Sequence, residues 1–137
     1  MDTRYSACIA WGAIWDYQAT RGKRIKALKD AALPVPAEHL LWATGVETYD
    51  AALKKLEGFK SSDIAHKVTV LFLLLHGALD AQVATADAEK LFAAIASKDK
   101  TLRLFTAAEG SAQHCQRDYL SLACDTVISW LEQRLIK

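Results

Sequence analysis

The sequence lacks the features that mark several classes of protein. Charge is balanced, because 17 Lys and Arg against 16 Asp and Glu leave a formal net charge of +1, so nothing electrostatic favours a nucleic-acid partner. The longest apolar run, residues 68–75, is too short to span a bilayer as a helix. Residues 1–5 lack the apolar stretch of a signal peptide. We therefore expect a soluble cytoplasmic protein with no membrane partner.

Cysteine is scarce as well. Cys8, Cys115 and Cys124 are not spaced as metal ligands and do not form an even set for disulfides. Reduced intracellular thiols are the simpler interpretation, and we predict neither a metal nor a cofactor. The basic cluster at residues 21–26 is local: a solvated helix face is the simpler interpretation, and contact with an acidic ligand or partner is the alternative.

What the chain does have is apolar sequence in a regular order. It is 137 residues long and 52% hydrophobic, which predicts one globular domain with a substantial core. Apolar runs predict strands at residues 5–11, 68–75 and 101–106. Helical patterns and breaks predict helices at residues 18–32, 37–44, 48–57, 85–97 and 117–134, with Pro34 and Pro36 interrupting the chain. Helical spacing predicts an apolar face on each of the last two helices, formed by Ala88, Leu91, Phe92 and Ile95 in the first and by Leu120, Cys124, Val127 and Leu131 in the second. The order from residue 68 onward is strand, helix, strand, helix, which predicts a right-handed crossover between parallel strands.

Polar residues follow two of these strands. His76, Gly77 and Asp80 come after the strand at 68–75, and His114 comes after the strand at 101–106. Parallel strands end at the same edge of a sheet, so Asp80 and His114 can meet. An Asp that accepts a hydrogen bond from a His ring N–H leaves the other ring nitrogen free as a base.

Ordinary structural roles are the alternatives for the same residues. Asp80 could be a turn residue and His114 a residue that hydrogen-bonds within its own loop. His76 could line the site or make a structural hydrogen bond to the loop that follows it.

Most of the chain resembles a known family. The segments FLLLHGALDAQV, KTLRLFTAAEGSAQHCQ and VISWLEQRL look like the C-terminal half of an α/β hydrolase. RYSACIAWGAIWDY and LLWATGVETYDAALKKLEGF resemble a narrower, esterase-like branch that includes carbon–carbon bond hydrolases and fungal enzymes that shorten pigment polyketides. The resemblance implies a truncated α/β-hydrolase fold of about three parallel strands with flanking helices, and a helical cap at residues 18–66. It also implies that Asp80 is the triad acid and His114 the triad base.

One departure from that family is large. Its nucleophile sits on a Gly-x-Ser-x-Gly turn between a strand and a helix, and this sequence contains no such motif. The chain is therefore predicted to begin after that turn, near the sixth core strand. Ser111 and Cys115 lie close to His114 in sequence, but Ser111 has no strained turn to present it, and packing is the commoner fate of a thiol.

The resemblance also points to a set of aromatic residues beside the substrate. In the family the corresponding segments border the pocket under the cap, and aromatic walls suit a flat polyketide or aromatic ligand. The residues concerned are Trp11, Trp15, Tyr17 and Trp42. The alternative is that they pack the cap against the sheet.

Three functions follow as hypotheses. The first is a small enzyme in which Asp80 and His114 act as general acid and base on a polyketide-like or aromatic small molecule, without a serine. The second is a portion of a serine hydrolase whose nucleophile comes from another segment or partner. The third is a non-catalytic remnant that binds a ligand or a partner. Because the family's strand order leaves the outer edge of residues 5–11 bare, we also predict a homodimer through that edge or through exposed faces.

Overall fold

The computed structural model describes residues 4–30 and 38–135, and it divides into two compact units. The sheet unit contains the described residues up to Trp15 and from Ser62 onward, and the helical unit is Asp16–Ser61. The helical unit covers much of the predicted cap, while the prediction of a single domain stays a prediction. The predicted break at Pro34 and Pro36, and the adjoining ends of the helices at 18–32 and 37–44, lie outside the described residues.

The sheet unit is built on three parallel strands, which confirms the predicted α/β class. Strand β1 is Ala7–Trp11, β2 is Leu71–Gly77 and β3 is Lys100–Phe105. Their order is β1-β2-β3, so β2 is central.

The central strand differs from its prediction at both ends. It starts later than residue 68, because Val68 still donates its N–H to Ala65 at the end of a short 3₁₀ turn. It extends through His76 and Gly77, which pair with Leu104 and Phe105 of β3. The predicted end of the strand at residue 75 is therefore wrong by two residues, because His76 and Gly77 continue the backbone pairing with β3.

Helices cover both faces of the sheet. Helix α4, Thr85–Ala94, packs with Phe72 and Leu74 on one face. The predicted inward positions of this helix are confirmed, since Ala88 and Ile95 are buried and Leu91 and Phe92 pack against them.

The other face of the sheet is covered by α5, Leu120–Leu135. Its predicted apolar face is wrong in part: Leu120 is 53% exposed, and the deeply buried residues are Ala123 and Trp130, with Val127 and Leu131 packed beside them. The helix starts later than residue 117 because residues 117–119 form turns, in which Arg117 donates its N–H to His114 O and Tyr119 donates to Gln116 O.

The helical unit contains α1, Tyr17–Asp30, α2, Glu38–Thr44, and α3, Tyr49–Lys55. These helices have a core of their own, formed by Ile25, Leu40, Ala52 and Leu56. Asp16 caps the start of α1 by accepting the N–H of Ala19, and Thr48 caps α3 in the same way through Ala51. No helix among the described residues is long and apolar enough to cross a membrane.

Candidate active site

Asp80 lies in the turn that leaves the central strand. Its own N–H donates to Gly77 O at 3.1 Å, which closes the turn. Its Oδ1 accepts the N–H groups of Gln82 and Val83 at 2.8 and 3.0 Å, a local arrangement that Asp favours after a strand. The side chain is only 1% exposed, so its carboxylate is held in one orientation.

His114 meets this carboxylate from the loop that follows β3. Its Nδ1 lies 2.8 Å from Asp80 Oδ2. An ionised Asp80 can only accept, so Nδ1 carries the proton and the neutral ring has its lone pair on Nε2. Nε2 has no hydrogen-bond partner within the part of the chain that the structure describes, and the side chain is 30% exposed. The structure therefore shows the contact between His114 and Asp80, and a catalytic role for the pair stays a prediction.

Backbone hydrogen bonds hold the two loops against each other. Ala78 donates its N–H to Phe105 O at 2.8 Å, and Leu79 donates to Ala112 O at 2.9 Å. Gly77 lies where the backbone of Ala112 passes over the end of β2, and it has no side chain to obstruct that passage. The contact between the acid and the imidazole therefore depends on close packing of main chain.

A left-handed turn follows His114 directly. Cys115 and Gln116 both have a φ of +51°, a conformation that is costly for residues other than Gly. Gln116 is fully buried, and its side-chain oxygen accepts the indole N–H of Trp11 at 2.5 Å. The Gln113 N–H, on the other side of His114, donates to the Asp118 carboxylate. These bonds hold the loop in its strained form.

The end of β1 reaches the same place. A Cβ added to Gly12, which follows Trp11, would lie 3.9 Å from His114 Cε1 and 3.7 Å from Cys115 Sγ. The residue that follows β1 therefore lies beside the imidazole that Asp80, after β2, contacts. Sequence analysis missed Gln116, because no local pattern marks a glutamine as the buried partner of a tryptophan about a hundred residues earlier. For Gly12 the sequence gives a weak indication of a role at the site, because it is the residue that ends an apolar run.

The other polar residues considered from sequence have structural partners. His76 is buried and its Nε2 lies 3.1 Å from Val83 O, in the segment that also donates to Asp80. This contact matches the interpretation of His76 as a loop-bonding residue. Ser111 is buried and donates its hydroxyl to Tyr119 O at 3.1 Å.

Cys115 lacks the features of an activated nucleophile. Burial raises the pKa of its thiol, and the negative charge of Asp80 raises the pKa further, so the thiolate is disfavoured at neutral pH. Across residues 4–30 and 38–135, no three His, Cys, Asp or Glu side chains come together as a metal site.

The aromatic residues predicted to bind substrate are spread over both units. Trp11 and the partly buried Trp15 belong to the sheet unit. Tyr17 lies in the helical unit, where its hydroxyl accepts from Arg21, and Trp42 of the same unit is 86% exposed. A role in substrate binding stays a prediction for all four.

Comparison with known proteins reveals a shared architecture. No protein-family model and no curated protein sequence matches the chain. Among solved structures, it is similar to the esterase Est1E from Butyrivibrio proteoclasticus, solved with ferulic acid bound, at a TM-score of 0.53 and 16% identity over 67% of this chain. It is also similar to a hydrolase from Pseudomonas aeruginosa PA01, at a TM-score of 0.50 and 17% identity over 91% of this chain. The chain has an α/β-hydrolase-type fold.

The match covers only part of each neighbour. The chain spans 37% of the length of Est1E and 54% of the length of the Pseudomonas hydrolase. At these sequence identities the similarity shows a shared fold and does not show a shared reaction.

Proposed function

We propose that this chain carries the acid–base pair of a hydrolase-type active site, in which Asp80 orients His114 and His114 moves protons. The observation that carries the proposal is the 2.8 Å contact between His114 Nδ1 and Asp80 Oδ2. The acid is buried and fixed by two backbone N–H groups, while the imidazole is partly exposed. A histidine that only hydrogen-bonds within its own loop would not require a buried carboxylate in a fixed orientation.

The arrangement supports one sequence of proton transfers. His114 Nε2 takes a proton from water or a hydroxyl group as that oxygen attacks the substrate, and the resulting imidazolium is stabilised by Asp80. Nε2 then returns the proton to the leaving group. General acid–base catalysis of this kind contributes about 10²–10⁴-fold to a rate.

For the substrate we propose an aromatic or polyketide-like small molecule with an ester or an activated carbon–carbon bond. Trp11 supports an aromatic substrate, because its indole N–H donates to Gln116, in the loop that carries His114, and so an aromatic ring lies beside that loop. The ferulic acid bound to Est1E, itself aromatic, agrees with this choice. Kinship with the carbon–carbon bond hydrolases and the polyketide-shortening enzymes is part of the same proposal.

The attacking group distinguishes two versions of the function. In the first, His114 activates water or a substrate hydroxyl and no serine is involved. In the second, a serine from another segment or a partner completes the site. Both versions agree with the absence of a Gly-x-Ser-x-Gly turn from this sequence and with the burial of Ser111, whose hydroxyl is bonded to backbone.

Turnover of a panel of aromatic esters and aryl 1,3-diketones tests the proposal. We expect His114→Ala to lower kcat/KM by about 10²–10⁴-fold. His66→Ala is the matched control, since His66 is an exposed residue of the sheet unit, and its activity should equal that of the parent chain. Measurable turnover by the parent chain that His114→Ala leaves unchanged would contradict the proposed function.

A fluorophosphonate probe separates the two versions. Turnover that survives the probe supports chemistry without serine. The second version is supported if this chain alone neither turns over substrate nor takes up the probe, and both turnover and a labelled serine appear once the segment or partner that carries the serine is added. The two results cannot both hold for one preparation.

We also propose that the chain forms a homodimer, through the edge at residues 5–11 or through exposed apolar faces. The proposal is supported by the position of β1 at an edge of the sheet, and by Leu79, Tyr119 and Ile128, each at least 50% exposed. Sedimentation velocity at micromolar concentration should give a dimer, and a stable monomer would refute the proposal.

A further inference from the structure

The helical unit contains a cavity of its own. Its volume is about 630 Å³, and every residue that lines it lies between Tyr17 and Phe59. This volume is in the range of small-molecule sites, about 300–1,000 Å³. Most of the wall is apolar, with Leu40 and Leu56 from the core and Phe59, which is 64% exposed.

Arg21 gives this apolar cavity an unmatched polar group. Its Nη2 donates to the Tyr17 hydroxyl at 2.7 Å, and its guanidinium carbon lies 4.9 Å from the centre of the Tyr17 ring. Its Nε is fully buried and has no hydrogen-bond partner among the described residues. A buried N–H without an acceptor is unfavourable, so Arg21, which lines the cavity, keeps an unsatisfied donor in its guanidinium group.

The charge of the lining has one sign. Arg21 and Lys55 line the cavity, and among the residues that the structure describes no Asp or Glu does. Lys55 donates to Thr44 O at 2.7 Å, a neutral partner that leaves the ammonium charge uncompensated. The Tyr17 hydroxyl accepts from Arg21, so its own hydrogen is available to an acceptor. An anion would therefore meet a donor fork and a second cation, with no carboxylate to repel it.

From these observations we infer that the helical unit binds an aromatic carboxylate, with the carboxylate on Arg21 and the rings against the apolar wall. A planar guanidinium matches a carboxylate in geometry and charge. The apolar wall excludes a small inorganic anion as the preferred ligand, because such an anion would leave that surface in contact with water. This inference does not rest on the proposed function, and its test needs no turnover.

Isothermal titration calorimetry of the full chain with 2-naphthoate tests the inference. We expect 2-naphthoate to bind at least tenfold more tightly than the neutral analogue 2-naphthalenemethanol. Arg21→Gln should weaken 2-naphthoate at least tenfold and leave the alcohol nearly unaffected. Lys23→Gln is the matched control, since Lys23 is exposed on the same helix, does not line the cavity, and loses the same charge.

A second measurement covers the case in which Arg21→Gln fails to fold. In the unaltered chain, the Nε–H signal of Arg21 in a proton–nitrogen NMR spectrum should shift when 2-naphthoate is added and stay in place with the alcohol. Equal affinity for acid and alcohol, equal loss in Arg21→Gln and Lys23→Gln, or an unmoved Arg21 signal at saturation would each overturn the inference.

Discussion

Gly77 and Ala112 approach each other so closely that a Cβ built on Gly77 would lie 2.2 Å from the Ala112 carbonyl oxygen. Such a Cβ would also lie 2.5 Å from the carbonyl oxygen of Gln113, the residue before His114. These atoms belong to backbone and cannot rotate away. The strand that presents Asp80 and the loop that presents His114 therefore meet through a residue without a side chain.

Substitution of Gly77 should damage both stability and the site. We expect Gly77→Ala to lower the free energy of unfolding by about 1–3 kcal/mol or more, because the methyl group forces the loop outward. Gly58→Ala is the matched control: a Cβ there meets nothing within 4 Å, so little change is expected. Urea denaturation measures both, and equal stability of the two variants would contradict the close approach.

The bond between Trp11 and Gln116 should stabilise the strained turn after His114. Trp11→Phe keeps the apolar ring but removes the indole N–H, which leaves a buried amide oxygen unpaired at a cost of about 1–3 kcal/mol. Trp42→Phe, at an exposed position of the helical unit, should change stability by less than about 0.5 kcal/mol. The prediction is wrong if chemical denaturation gives the same free energy for both variants.

The reactivity of Cys115 should report the charge of Asp80. Burial and the Asp80 carboxylate both raise the pKa of this thiol, so at pH 8 iodoacetamide should modify it more slowly than it modifies glutathione. Asp80→Asn removes one of the two causes and should speed the reaction. Asp118→Asn perturbs the same loop through Gln113 without removing that cause. Peptide mapping gives the rates, and the same acceleration in both variants would indicate loop opening instead of electrostatics.

Acid should weaken an ion pair at the end of β3. Hydrogen bonds from Arg103, and then from the N–H and hydroxyl of Thr106, lower the pKa of Glu109 to about 2. Because the pKa is lower in the folded state, the stabilisation is present above the ordinary carboxyl value of 4.5 and is lost as the pH falls toward 2. The urea midpoints of the parent chain and Glu109→Gln should therefore differ at pH 6 and converge near pH 2. A constant difference across that range would show that Glu109 does not titrate in this way.

The sequence predicted those features of the fold that depend on residues close together in the chain. An eight-residue apolar run predicted the central strand, but both of its ends differ from the prediction. Val68 is held in a 3₁₀ turn, and the pairing of His76 and Gly77 with β3 is a property of two strands together. The inward residues of α4 were predicted from helical spacing. On α5 the same spacing misplaced Leu120, which is the first residue of the helix and is 53% exposed.

The sequence by itself determined the order of strands and helices, the parallel topology and the two loops in which Asp80 and His114 lie, because these depend on periodicity, chain length and the handedness of crossovers. Only the tertiary structure decided that Asp80 is held by two backbone N–H groups, that Gln116 is joined to Trp11, and that the buried Nε of Arg21 faces no acceptor in the described chain. The physical reason is that each of these facts depends on hydrogen-bond geometry fixed by packing. Distances of a few ångströms between atoms far apart in sequence leave no trace in composition or spacing.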